Sequence, residues 1–528
     1  MSSPKQPPPS ERSPIRILSW RIVIISFLAA CGLTALTTWA LVTATDSQTV
    51  DQAKIAAVKI NAIRTGLAVG AGAGGAMALL LAARKQWLGE RSQSHQEDVA
   101  HSDISDATER RITDLYGKAV DQLGSDKAAV RIGGIFALER LAQANPGHRQ
   151  TIIDVICAYL RMPFTIPPQV DLGSITPHTL QGSVASDETR QEIQVRLTAQ
   201  DLLRRRLSKN EADSESHWGG LRIDLTGATL VTFNLTSCEF REGVFTDSHF
   251  AGTTRFNYSK STSSSSFRGA HFSGFTDFAG FGFAGKVRFD DSRFAKSCSF
   301  EEAEFDQGAR FDKVIFADQA IFKRSNFHNR AIFDNAVFSG EAIFTEADFI
   351  ADVQFLRVIF KQSARFGQSR FRGATTFTTC AFEKDARLGG SRFEGRLRLR
   401  EVTFAGAASF GECKFTEGLY MRGVTFQDVA KFGGSRMTSG ASLREVTFEK
   451  AVTFTGTPTS RSIVFYGVHF DDTASFHKTG DQSVEFKNSS ILNNDQMIHP
   501  PRNWLVSSQA DASGRYEIVR WNPPMILP

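Results

Sequence analysis

Residues 333–355 read FDNAVFSGEAIFTEADFIADVQF, with a phenylalanine returning every five or six positions. That pitch fits neither the 3.6-residue period of a helix nor the two-residue period of a strand. Upstream, Leu225, Leu230, Leu235, Phe240, Phe245 and Phe250 keep a strict period of five. Beyond Phe256 the anchors alternate six and five, through 305, 311, 316, 322, 327, 333, 338, 344, 349, 355, 360 and 366. The position two before an anchor is usually small, as at Ala303, Ala309, Ala320, Ser325, Ala331, Ala336, Ala342 and Ala347. A longer interval is superimposed: GQSRF at 367, GGSRF at 389, GECKF at 411 and GGSRM at 433 are 22 residues apart, as are REVTF at 400, RGVTF at 422 and REVTF at 444. Four anchors per 22 residues predict a four-sided solenoid with one motif return per turn. Phe305, Phe316, Phe327, Phe338, Phe349, Phe360 and Phe371 are then interior anchors, their rings stacked between turns. About eleven turns, roughly 4.8 Å apart, make a rod of about 50–55 Å. The polar run NYSKSTSSSSF (257–267) places a serine at anchor 261 and predicts a bulged loop leaving the rod.

The N-terminal pattern is different. A basic, Pro-rich leader (1–21), expected to be disordered, precedes an uncharged apolar stretch at 22–44, long enough to cross about 30 Å of hydrocarbon. A second apolar stretch, TGLAVGAGAGGAMALLLAA (65–83), predicts another membrane helix, so that 22–87 reads as a hairpin. Its Gly70–Gly75 run matches GxGxxG in form, but lacks the strand and crossover a dinucleotide loop needs. Gly66, Gly70 and Gly74 form a small-residue stripe instead, suited to packing on the first helix or on a second copy of the chain. Lys5, Arg12, Arg16 and Arg21 before the hairpin and Arg84, Lys85 and Arg91 after it outnumber Lys54, Lys59 and Arg64 between the spans. That balance favours a cytoplasmic body and a plasma-membrane location. The competing reading of the first stretch is a signal peptide cleaved after Val42-Thr43-Ala44.

Residues 100–163 show helical periodicity and predict a short helical module packed on the end of the next domain. A Pro-rich linker (164–187) and an amphipathic helix (188–207) follow. That helix ends in Arg204-Arg205-Arg206, read as a solvated helix end favoured by the dipole or, alternatively, as a contact for anionic lipid. The repeat region is 221–476, and 477–528 forms a cap that shields the open end of the solenoid.

The repeated small-x-Leu/Phe unit, seen in Ala228-Thr229-Leu230 and Ala347-Asp348-Phe349, resembles the pentapeptide-repeat proteins across residues 221–476. The extra residue in every second repeat departs from their usual pattern. The predicted hairpin followed by GSDKAAVRIGGIFALERLA resembles large membrane-bound members from actinobacteria. The resemblance implies an α+β multidomain chain: a transmembrane helical hairpin, a small helical module, then a right-handed quadrilateral parallel β-helix with about 22 residues per coil.

Composition narrows the function. The 528 residues carry a net charge of +5, and region 221–476 holds 32 Lys/Arg against 29 Asp/Glu. A topoisomerase-directed DNA mimic needs an acidic rod, and a dedicated nucleic-acid binder needs a far more basic one. The six cysteines form no CxxC pair, and Cys238, Cys298, Cys380 and Cys413 fall in the small position two before an anchor, where a thiol is an apolar filler. His249, His271 and His469 each precede an anchor and should face solvent. No catalytic, cofactor or metal-ligand pattern is present, so the expectation is a protein that is not an enzyme. The 22-residue return stacks Arg370, Arg392, Lys414 and Arg436 in one basic column and Arg400, Arg422 and Arg444 in another. Glu394, Glu401, Glu412 and Glu445 are placed to neutralise them; the alternative is an anion-binding face for lipid headgroups, an acidic protein or nucleic acid. The expected function is a membrane-anchored scaffold with an unidentified protein partner, no specific nucleic acid, and self-association through the glycine stripe.

Overall fold

The computed structural model describes residues 20–45, 52–166, 186–209, 216–477, 484–493, 495–501 and 503–521. Residues 1–19 of the predicted leader (1–21) and most of the predicted linker therefore lie outside the described residues, and residues 20–21 are helical. The chain divides into two units, Met1–Ile112 and Thr113–Pro528.

In the first unit, α1 spans Trp20–Thr45 and α2 begins at Gln52. A Cβ at Gly66 would lie 2.6 Å from Thr38 Oγ1, so a larger residue there would force the Thr38 side chain to shift where α2 approaches α1. Nearer the other end, the Arg84 guanidinium sits 5.2 Å from the Trp20 ring centroid. Moving forward along α1 thus means moving backward along α2, and the two helices run antiparallel. Gly74 has nothing within 4 Å of its would-be Cβ, and the surroundings of Gly70 lie outside the described residues.

Two corrections follow. Among the described residues, one helix, Trp20–Ala44, is long and apolar enough to cross a membrane. The stretch 65–83 is not a separate helix, because α2 runs unbroken from Gln52 to Leu123. It contains no proline, and its Ala/Gly-rich centre is a weaker apolar signal than the Ile, Leu and Phe side chains of α1. Lys54, Lys59 and Arg64, read as loop residues, are helical within it.

In the second unit, α3 (Ala128–Ala144), α4 (Arg149–Arg161) and α5 (Asp187–Leu207) follow the end of α2. Gly134 lets α3 cross α2, since a Cβ there would meet Ala119 O and Leu123 N at 2.8 Å. Ile135, Leu138, Ile152, Ile156, Ile193 and Leu203 are fully buried between the helices. The N-terminus of α5 is capped by Ser186, whose hydroxyl accepts from Thr189 N–H at 3.2 Å. The arginine triplet at the helix end is ion-paired, while the side chains of Arg204 and Arg205 stay about 40% exposed. Arg204 pairs with Asp201 at 2.8 Å, and Arg205 and Arg206 pair with the buried Glu139 at 3.2 and 2.7 Å.

From Arg222 the chain winds through four parallel sheets, the first of them 13-stranded. About 12 turns of about 22 residues make up the solenoid. The opening coil is shorter, Arg222 pairing with Glu242, whereas later coils step by 22, as in Ala309↔Ala331↔Val353. The change mirrors the switch from period five to alternating six and five. At the five-residue corners Ala303 N–H donates to Phe300 C=O at 3.1 Å, and Glu302 takes φ 57°. Positive φ recurs every 11 residues from Asp291 to Gly467. The six-residue corners take the extra residue instead.

The predicted anchors Phe305 to Phe371 are at most 1% exposed. Phe316 stacks on Phe338 with centroids 4.7 Å apart, and Phe327 on Phe349 at 4.7 Å. The predicted bulge at Ser261 is absent. Lys260–Ser261 pairs in register with Glu239–Phe240 on one side and Gly282–Phe283 on the other, and Ser261 is fully buried. Inter-turn backbone hydrogen bonds set the register there, and the polar composition does not override them. The solenoid also continues past residue 476, with Val484–Lys487 and Met497–Ile498 still pairing in parallel. The hairpin Trp504–Ala510/Tyr516–Arg520 then turns antiparallel against Ser490–Ile491 and closes the second face.

Candidate interaction surface

Strand alternation places the basic residues outside. On the fourth face Arg370, Arg392, Lys414 and Arg436 are consecutive register partners, each exposed, with Phe371, Phe393, Phe415 and Met437 beside them pointing inward. On the first face Arg400, Arg422 and Arg444 stack likewise and continue to Tyr466. Both predicted columns therefore exist in the structure, on different faces.

Their neutralisation is partial. Arg370 pairs with Glu394 at 2.7 Å, Arg400 with Glu401 at 3.4 Å and Arg422 with Glu445 at 3.7 Å. Among the described residues no ion pair reaches Arg392, Lys414, Arg436 or Arg444. Arg444 instead lies 6.0 Å from the Tyr466 ring centroid. The first face also carries a second outward column, Arg398, Tyr420 and Ser442, that the sequence reading missed. Its signal is alternation inside the segments LRLR and LYMR, because the residue type itself does not repeat at 22. Arg398, Arg400, Tyr420, Arg422, Ser442 and Arg444 line a groove of about 300 Å³.

The solenoid cysteines Cys238, Cys298, Cys380 and Cys413 are buried in the small slot. Cys413 donates its thiol to Leu388 C=O at 3.1 Å and Cys380 to Phe355 C=O at 3.2 Å. Ser391, one coil before Cys413 in the same small slot, does the same to Phe366 C=O at 2.6 Å. Burial pushes the Cys380 thiol to about 11 and that of Cys413 to about 12. Glu304, Asp306 and His328 bring donor atoms within 4.8 Å of one another. These groups lie on the surface, and the His328–Glu304 contact at 3.0 Å accounts for their approach.

Residues 283–325, 322–370, 355–403, 366–414 and 410–458 each match the family model for pentapeptide repeats (9 copies). The fold is thus a pentapeptide-repeat β-solenoid, of the enlarged form in which every second corner carries an additional residue. No curated protein and no solved structure matches the chain.

Proposed function

We propose that this chain is a non-enzymatic, membrane-anchored scaffold whose solenoid presents a rigid protein-interaction surface on the cytoplasmic face of the plasma membrane. The observation that carries the reading is where the chemistry lies. Stacked rings fill the solenoid interior, and the uncompensated cations Arg392, Lys414, Arg436 and Arg444 all point outward. Rigidity follows from the same interior, since a rod of continuous ladders holds its outer side chains in fixed register.

Anchoring rests on α1, whose Ile25, Leu28, Leu33, Leu36 and Trp39 are more than 60% exposed. Apolar side chains left bare to that extent along one helix fit a lipid environment. The Gly-rich part of α2, antiparallel to α1, supplies the second arm of a membrane hairpin. Gly66 serves packing within the chain, and the open Gly74 leaves room for a second copy. The positive charges flanking the hairpin favour the cytoplasmic side for the solenoid.

The test is cross-linking in cells followed by capture of the full-length protein, beside a version ending at Leu207. A protein captured only with the solenoid present supports the scaffold. Identical captures from the two versions would remove the solenoid as the recruiting surface.

A further inference from the structure

We infer that the scaffold's recruiting surface is the groove on the first face, and that it takes an extended acidic segment of a partner protein. The inference rests on the scaffold reading and adds to it the place and the chemistry of recognition.

The place is set by strand length and charge together. Most strands of the solenoid are two residues long, but the first face carries a run of four-residue strands from Val353–Leu356 to Val484–Lys487, and Leu397–Arg400, Leu419–Arg422 and Ala441–Arg444 are the ones in that run that carry outward arginines. Each of these strands therefore shows two outward side chains instead of one. Arg398, Tyr420 and Ser442 form one column and Arg400, Arg422 and Arg444 the other. Successive coils are about 4.8 Å apart, and outward residues within a strand are about 7 Å apart. The small Ser442 beside the ring of Tyr420 leaves the depression between the columns.

The charge there is unbalanced. Arg398 has no ion pair among the described residues. The acids facing Arg400 and Arg422 stand 3.4 and 3.7 Å off, and those two glutamate side chains are 58% and 62% exposed. Exposed pairs of that kind are worth about 0–1 kcal/mol and are easily exchanged for an incoming carboxylate. Four guanidinium groups on three adjacent strands repel one another unless an external anion joins them. On the fourth face the equivalent column has one outward residue per two-residue strand, as at Arg392–Phe393 and Lys414–Phe415, and forms a ridge.

The occupant follows from the spacing and from the rest of the rod. An extended peptide lying along the strand direction presents alternate side chains about 7 Å apart, the same interval that separates the two columns. A long polyanion would have to continue along the rod. There it would meet region 301–352, with 11 Asp/Glu against 5 Lys/Arg. A short acidic segment stays within region 357–445, with 16 Lys/Arg against 8 Asp/Glu. Tyr420, 40% exposed, adds a hydroxyl donor and an aromatic surface for the peptide backbone.

The experiment uses full-length protein in phosphatidylcholine nanodiscs and a fluorescent peptide of alternating Glu and Gly, with the Lys–Gly peptide as control. Saturable binding of the Glu–Gly peptide alone is expected. The variant Arg398→Glu/Arg422→Glu should weaken it by roughly tenfold or more, and the fourth-face variant Arg392→Glu/Lys414→Glu by no more than about twofold. All four positions point outward, and an unchanged thermal unfolding profile verifies that each variant folds. Absence of binding overturns the inference, as does equal loss in both variants, which would mark a diffuse field. Tighter binding of a single-stranded oligonucleotide or of phosphatidylserine vesicles overturns the assignment of the partner class. If the Arg398→Glu/Arg422→Glu protein still captures the solenoid-dependent partner in cells, the groove fails while the scaffold stands.

Discussion

The side-chain amide of Gln200 and the main chain of Val231 exchange two hydrogen bonds: Nε2 donates to Val231 C=O at 2.7 Å, and Val231 N–H donates to Oε1 at 2.9 Å. Gln150 does the same to Arg222, with 2.9 Å in both directions. Arg222–Asp224 and Thr229–Val231 are the first strands of the first and second faces, so each would otherwise offer an unpaired edge. The two glutamines stand in for the coil that is not there, which is how the helical module ends the solenoid. Gln200→Leu keeps the volume but leaves a buried donor and acceptor unpaired. A loss of about 1–3 kcal/mol is expected, from the urea midpoint in detergent. Faster hydrogen exchange at Val231 N–H should accompany it, and unchanged exchange would show that the contact is dispensable.

A second test concerns the serine at an anchor position. Phe281, in a small slot one coil after Ser261, lies 6.2 Å from Phe240, which is one coil before Ser261. It also lies 4.0 Å from Phe283. The displaced ring thus fills the level at which Ser261 offers none. Phe281→Ala alone should cost about 3–5 kcal/mol as a cavity, and Ser261→Phe alone about 1–3 kcal/mol as overpacking. Combined, they rebuild the ordinary Ala-x-Phe arrangement, so the double variant should be markedly more stable than the sum of the two losses predicts. Simple additivity in the double-mutant cycle would refute the exchange.

What could be read in the chain was what repeats. Anchors at five and six, with motifs at 22, were enough to place Arg370 over Arg392 and Phe316 over Phe338. Features made by one residue carried no period and stayed hidden: the glutamine caps, the ring of Phe281, and the Arg398–Tyr420–Ser442 column, in which three residue types share one position. Whole-rod charge concealed the groove as well, because the acidic stretch 301–352 cancels the basic stretch 357–445 in the total. The bulge expected at Ser261 failed for a physical reason. Main-chain pairing between coils holds the register whatever side chain is carried, and the cost of a polar residue inside is met by packing nearby.

The buried thiols give a third prediction. A cysteine reacts as its thiolate, and burial raises Cys380 to about 11 and Cys413 to about 12. In native protein near neutral pH neither should be alkylated by maleimide over hours, whereas both should label within minutes in denaturant. Mass spectrometry of tryptic peptides reads each site separately. Rapid labelling of either in the native state would mean that the coils open locally far more often than a continuous ladder allows.

The fourth prediction comes from the paired imidazoles on the second face. His249 and His271 are register partners with ring centroids 5.1 Å apart, and Arg293 follows in the same column. Burial lowers the pKa of His249, and burial together with the adjacent His249 and Arg293 charges lowers that of His271. In the unfolded chain both titrate near about 6.5. Between the depressed folded values and that pH the unfolded state binds more protons. Stability is therefore full above about pH 6.5 and falls as the pH drops toward the folded values, below which these groups add no further slope. The urea midpoint should decline on acidification from neutral pH. In His249→Gln/His271→Gln the decline should be shallower but not abolished, because burial and Arg515 also depress His469. A double variant with the same pH slope as the parent would show that the pair stays neutral in both states or is charged in both.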